Sequence, residues 1–253
     1  LSLLPFILYF LTAVLQSFNT IVEALPNLLL GAGVTLQLTA IAIVIGMIAG
    51  SLIGMARLSS SRLVRLAARC YVDFFRGTPL LVQIFMIYFG LPVLLREGGL
   101  KFSLSQFMAA TLALSLNSAA YIAEIVRAGI QSIELGQREA SESLGLGAVQ
   151  TMRYVIFPQA LRRMIPPLGN EFISMLKDTS LVAVIGFEEL FRRGQIIVAS
   201  NYKAFEIYFS VAIVYLVLTL LFSQVFSWLE RWLNPVEQAK KKAIAQPLAV
   251  RDQ

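Results

Sequence analysis

The chain has no histidine and only one cysteine, Cys70. That inventory cannot build a disulfide, a Cys/His metal cluster or a thiol–imidazole pair. No GxxxxGK[ST] phosphate loop occurs, so nucleotide hydrolysis would have to come from another polypeptide. No residue is assigned a catalytic role, and no metal or cofactor is expected on this chain. Charge is scarce as well, at 14% of 253 residues, against 57% hydrophobic residues and a mean hydropathy of +0.74. A soluble domain carries about 25% charged residues.

What the chain does have is long apolar runs, many of eighteen or more residues. Hydrocarbon cannot satisfy backbone N–H and C=O groups, so each run must form a helix or join a closed barrel. These runs are continuous rather than alternating, which makes the expected fold an all-α membrane protein. Five spans fit the hydropathy, at roughly 28–56, 71–95, 106–128, 168–190 and 205–230.

The net charge of +6 could suggest nucleic acid, but the basic residues are scattered between apolar spans. Membrane topology accounts for them better, and no nucleic-acid partner is expected. With the N-terminus outside, the inner loops and tail hold Arg57, Arg62, Arg65, Arg69, Arg127, Arg138, Arg153, Arg162, Arg163, Arg231, Lys240, Lys241, Lys242 and Arg251. The outer side holds Arg96, Lys101, Arg192, Arg193 and Lys203. This bias sets the N-terminus outside and the C-terminus in the cytoplasm.

Residues 1–15 are apolar but too short to cross a layer ~30 Å thick, and they lack the charged start of a signal peptide. Residues 1–27 are expected to be an interfacial or linker segment. The chain begins with Leu1, which is compatible with a binding domain fused upstream or with truncation. Residues 28–232 form the transmembrane domain, with a cytoplasmic loop at about 129–165, and residues 233–253 form a cytoplasmic tail. No internal repeat is evident. An odd number of spans cannot form two equal inverted halves, so a complete pathway calls for a second copy or a homologous partner.

Several side chains stand out within the spans. Gly46, Gly50 and Gly54 recur every four residues, with Thr35 and Thr39 on nearly the same face, a pattern for close helix packing. Trp228 and Trp232 at one end of the last span, with Tyr202 and Tyr208 at the other, suit the two membrane interfaces. Asn117, Tyr121 and Glu124 share a helix face, and Arg127 can pair with Glu124 at i,i+3. Asn117 can hold a substrate carboxylate or amine, or equally bond another helix. Glu171, Ser174 and Asp178 share a face in the fourth span. Lys177 can neutralise Asp178. Glu171 lacks an evident local partner, so it either meets a substrate cation or pairs with Arg162 or Arg163. Asn117, Glu171, Ser174 and Asp178 are therefore the candidate substrate-binding residues.

Between apolar spans lies a polar, helix-prone insert, GQREASESLGLGAVQTMRYVIFP, from Gly136 to Pro158. Arg138 to Leu144 are good helix formers and Gly145 suits the C′ position that ends such a helix. Pro158 should break any helix running from 149 onward and turn the chain back to the membrane. The order Glu139-Ala140-Ser141, Gly145, then Val155-Ile156-Phe157-Pro158 resembles the coupling loop of ABC importer permeases. That family's pattern is Glu-Ala-Ala, three residues, Gly, nine residues, then Ile-x-Leu-Pro. Glu139, Ala140, Gly145 and Pro158 match in register, while Ser141, Val155 and Phe157 depart conservatively.

The resemblance extends over nearly all of residues 28–232. RGTPLLVQ from Arg76 to Gln83, NSAAYIAEIVRAGI from Asn117 to Ile130 and PQALRRMIPPLGNEFISMLKDTSL from Pro158 to Leu181 are similar to permeases of the polar amino acid subfamily. The resemblance implies a type I importer fold with five core helices per subunit in the bacterial inner membrane. It implies that Glu139, Ala140, Ser141, Gly145 and Pro158 couple to a cytoplasmic ATPase dimer, which binds the ATP and Mg. It also implies a second permease subunit, with a homodimer favoured over a heterodimer, and an external amino-acid-binding protein or fused domain. An ion- or proton-coupled carrier or channel is the alternative, though it leaves the insert unexplained and lacks a histidine relay.

Overall fold

The computed structural model of the chain describes residues 3–100 and 103–233, with side chains from residue 17 onward. The tail at 234–253, including Lys240 to Lys242, lies outside the described residues. Every regular element among those described is helical: α1 Leu3–Ala56, α2 Arg62–Gly77, α3 Leu80–Phe85, α4 Leu91–Glu97, α5 Gln106–Gln131, α6 Leu135–Ser143, α7 Ala148–Gln150, α8 Phe157–Asp178, α9 Leu190–Asn201 and α10 Ala204–Leu233. Short π-helical turns join α3 to α4 and α7 to α8, and a 3₁₀ segment, Thr179–Ile185, follows α8.

Among the described residues, four stretches are long and apolar enough to cross a bilayer: Ser17–Ala56, Leu80–Glu97, Gln106–Gln131 and Ala204–Leu233. The chain is a multi-pass membrane protein. Its exposed leucines, isoleucines and valines cluster on α1 and α10, among them Leu30, Ile48, Leu52, Leu220 and Val225. Lipid is the solvent for which such a surface makes sense.

Three of the five expected spans have different boundaries. Helix α1 runs through position 28 without interruption, with Pro26 inside it. The span expected at 71–95 is two helices, because Thr78 (ψ 147°) and Pro79 (ψ 135°) are extended. Proline carries no N–H and pushes its predecessor out of the helical region, so RGTP ends α2 and α3 begins afresh. The span expected at 168–190 is divided among the second half of α8, the 3₁₀ segment, a left-handed Gly186 (φ 80°) and the start of α9. Helix α8 is itself 22 residues, or about 33 Å, long enough to cross. Its Arg162, Arg163, Glu171, Lys177 and Asp178 hide that length from a hydropathy reading.

The core forms where small residues let backbones meet. A Cβ on Gly46 would lie 2.7 Å from Ser118 Oγ, one on Gly50 2.7 Å from the Ala119 carbonyl, and one on Gly54 2.7 Å from the Ala123 carbonyl. The partners advance along α5 as the glycines advance along α1, so these two helices run parallel. Helix α8 runs the other way: Gly129 of α5 meets Met164, and Phe172 of α8 lies against Phe222 and Phe226 of α10. Buried Ile122, Val126, Ile156, Ala160 and Met164 fill the α5–α8 junction. Ala24, Leu28, Leu190, Ile207 and Val211 fill that of α1, α9 and α10.

Candidate coupling and translocation sites

The polar insert folds as a helix closed by a glycine. Gly145 adopts φ 81°, its N–H donates to the Glu142 carbonyl at 2.9 Å, and the Leu146 N–H donates to the Ser141 carbonyl at 3.1 Å. This pair of bonds satisfies carbonyls orphaned at the end of α6, and only a residue free of Cβ strain enters φ > 0 cheaply. Ser141 is buried. Its hydroxyl donates to the Arg138 carbonyl at 2.7 Å and lies 3.0 Å from Thr151 Oγ1, which clasps α6 to the π-helical turn that precedes α8. Of the residues named from sequence, Glu139, Ala140 and Gly145 are exposed, and Ser141 serves the loop's interior. Leu135 (73%), Leu144 (82%) and Val149 (80%) are also largely exposed beside Glu139 and Glu142. An apolar and acidic surface of this kind is suited to another protein.

Pro158 does not break the chain's helical course. It sits in the first turn of α8, directly after the π-helical turn Thr151–Ile156. The wider turn has already disturbed the i→i−4 ladder there, so the missing proline N–H adds little cost. Pro166 and Pro167 likewise lie inside α8 rather than at a turn.

Around the interruption between α2 and α3 lies a buried amide knot. Gln83, only 2% exposed, donates from Nε2 to the carbonyls of Phe75 (2.8 Å) and Thr78 (3.0 Å). Asn117 Nδ2 donates to Gln83 Oε1 at 3.0 Å and approaches the Phe75 carbonyl at 3.4 Å. Asn117 thus makes the helix-to-helix bond that was the alternative to substrate contact. The ending of α2 leaves carbonyls without intrahelical donors, and two side-chain amides supply them. Gln83 was legible as a polar residue inside an apolar run, yet its role required seeing the break.

Glu124 is an ion-pair hub. It pairs with Arg57 of the α1 end and with Arg127, and Arg76 Nη1 lies 3.8 Å away. Arg76 also stacks over the Tyr121 ring at 5.2 Å from its centroid. The Arg127 pairing follows from i,i+3 spacing, whereas Arg57 and Arg76 come from distant segments and carry no local signal. At the start of α9, the fully buried Glu189 caps the helix, accepting from Phe191 N (2.9 Å), Arg192 N (2.8 Å) and Tyr215 Oη (2.8 Å). Thr35, read as a packing residue, accepts from Leu190 N at 3.2 Å.

Glu171 and Asp178 are half-buried and Ser174 is exposed, one stripe along α8. Asp178, the Ser118 hydroxyl and, more weakly, Arg76 act on Glu171. Among the described residues no salt bridge reaches Glu171, and Arg163 donates instead to the Ser132 carbonyl. Two carboxylates and a hydroxyl thus line one partly exposed stripe of α8.

The model for the inner membrane component of binding-protein-dependent transport systems matches residues 42–235. The glutamine transport system permease protein GlnP of Escherichia coli (strain K12) is 44% identical over 214 residues, covering 85% of this chain and 96% of that protein. The arginine transport system permease protein ArtQ of Bacillus subtilis (strain 168) is 37% identical over 217 residues, covering 86% of this chain and 97% of that one. Among solved structures, an amino acid ABC transporter with histidines superposes with a TM-score of 0.79 at 44% identity, over 85% of this chain and 97% of its own. The MetNI methionine ABC transporter, in inward-facing conformations, shares the fold at a TM-score of 0.64 and 21% identity, over 83% of this chain and 95% of its own. The helical architecture is that of an ABC importer permease, and the chain belongs to the inner membrane component family of binding-protein-dependent transport systems.

Proposed function

We propose that the chain is the membrane-spanning subunit of an ATP-driven importer of polar amino acids, with basic amino acids and glutamine favoured, in the bacterial inner membrane. The observation that carries this reading is the stripe of Glu171, Ser174 and Asp178 along one face of α8, with Arg76 acting on Glu171 electrostatically. A zwitterion needs both signs of partner, and intramembrane charges are costly enough to demand a reason. The names of the relatives, glutamine and arginine permeases, favour the same substrate class.

The permease subunit performs no bond chemistry. ATP and Mg belong to a separate cytoplasmic ATPase dimer that docks on α6 through Glu139, Ala140 and the exposed leucines, with Ser141, Gly145 and Pro158 holding the loop's shape. A second copy of the chain completes the pathway, and an external binding protein or domain delivers the substrate. Closing of the ATPase dimer moves both α6 helices and rocks the subunits from inward-open to outward-open. Substrate-stimulated ATP hydrolysis by the assembled complex, screened across the common amino acids, tests this. The expected result is stimulation by one or a few polar amino acids. Hydrolysis indifferent to every amino acid would refute the substrate class.

A further inference from the structure

The ends of α1 and α5 and the first half of α2 border an open cavity of about 430 Å³ lined by Arg57, Arg62, Arg65, Arg69 and Arg127, with Leu66 and Gln131. Five guanidinium groups face it, but only two carboxylates pair with any of them. Glu124 pairs with Arg57 and Arg127, and Asp73 lies 3.3 Å from Arg69. Arg62 and Arg65 reach no carboxylate among the described residues. Arg65 Nη1 donates to the Ser59 carbonyl at 2.8 Å, which holds its guanidinium in place. Like charges gathered without counter-charges repel one another, and an anion relieves that repulsion. Guanidinium forks match phosphate oxygens bidentately, which makes phosphate the anion of choice.

The cavity's position selects where that phosphate comes from. Both α1 and α5 are membrane-crossing helices, they run parallel, and both end here. Helix α2 starts at the same level and carries Leu63 (78% exposed) and Leu66 (58% exposed) among its arginines. A helix with a cationic face and bare leucines is built for the boundary between headgroups and acyl chains. We propose that this cavity binds the phosphate of an anionic phospholipid headgroup, with Arg62 and Arg65 as its principal ligands and the neighbouring leucines under the acyl chains. The bound lipid ties the start of α2 to the leaflet, while the far end of α2 carries Arg76 and the interrupted span.

The test is lipid retention by the full chain. The protein is reconstituted with equal parts phosphatidylglycerol and phosphatidylcholine, washed in detergent, and the lipid still bound is counted by native mass spectrometry. The unmodified chain should keep phosphatidylglycerol in clear preference. Arg62→Gln with Arg65→Gln should lower that retention roughly twenty-five-fold, from about fivefold per arginine. Arg62→Lys with Arg65→Lys should also retain less than the unmodified chain, since charge remains but the fork is lost. Arg96→Gln, at the other end of the span, should change nothing. Equal retention of the two lipids by the unmodified chain overturns the proposal, whether or not the double variants assemble. So does equal loss in Arg96→Gln. Displacement of the lipid by millimolar inorganic phosphate would assign the site to soluble phosphate instead and overturn the lipid claim.

Discussion

Gln83 and Glu124 are polar side chains in apolar helices, and each is there because a distant group would otherwise be unsatisfied. Replacing Gln83 with Leu strands the Phe75 and Thr78 carbonyls at the α2–α3 break. An unsatisfied buried group costs roughly 1–3 kcal/mol, so Gln83→Leu should melt well below the unmodified chain in detergent. An unchanged midpoint would show the knot to be dispensable. Glu124→Gln removes the counter-charge of Arg57 and Arg127 and should also lower the melting midpoint, by less than a fully buried pair would, because the group is partly exposed. It should leave substrate preference alone. Glu171→Gln should do the reverse. Losing a charge-assisted bond of about 1.5–3 kcal/mol should weaken the response to arginine roughly tenfold to a hundredfold and the response to glutamine much less. Equal losses for both substrates with poor complex yield would make Glu171 a structural residue.

At the scale of elements, two glycine positions carry the strongest constraints. Gly145→Val forces a β-branched residue to φ 81°, at a cost of about 1–3 kcal/mol of backbone strain. It should disrupt the end of α6 and weaken ATPase association while leaving membrane insertion intact, as read by co-purification. Glu139→Lys should weaken the same contact by charge. Normal co-purification of both variants would remove α6 from the coupling role. Gly50→Leu should impair assembly outright, since even a Cβ there meets the Ala119 carbonyl at 2.7 Å. The α1 glycine stripe and the Gly145 stop were legible in the sequence, because four-residue spacing and a glycine after a helix-forming run each have one dominant physical cause. The course of the chain around its prolines was not. Pro79 does divide a helix, whereas Pro158, Pro166 and Pro167 sit within a helical run. What separates these cases is the surroundings: a π-helical turn before Pro158, and side-chain amides from Gln83 and Asn117 at the break before Pro79. Neither is encoded beside the proline itself. The Glu124 cluster was half legible for a similar reason, since Arg127 lies one turn away and Arg57 does not.

For the whole molecule, α1 and α5 run parallel with α8 opposed to α5 and α10, so the loop after α1 and the α6 loop emerge on one side. We propose, from the excess of arginine there, that this side faces the cytoplasm. With the exposed Cys70 replaced, cysteines at Ser61 and Gln150 should resist impermeant thiol reagents in intact cells, and one at Gly98 should react. The opposite pattern would invert the topology and put α6 out of an ATPase's reach. In the proposed importer, ATP bound to a partner drives amino acid movement through this chain. Uptake of labelled glutamine and arginine into proteoliposomes, with and without the partner ATPase and with ATP on the α6 side, measures that directly. Accumulation that requires both the ATPase and ATP, and ignores imposed proton or sodium gradients, is the predicted result. Gradient-driven accumulation by this chain alone would instead make it an ion-coupled carrier.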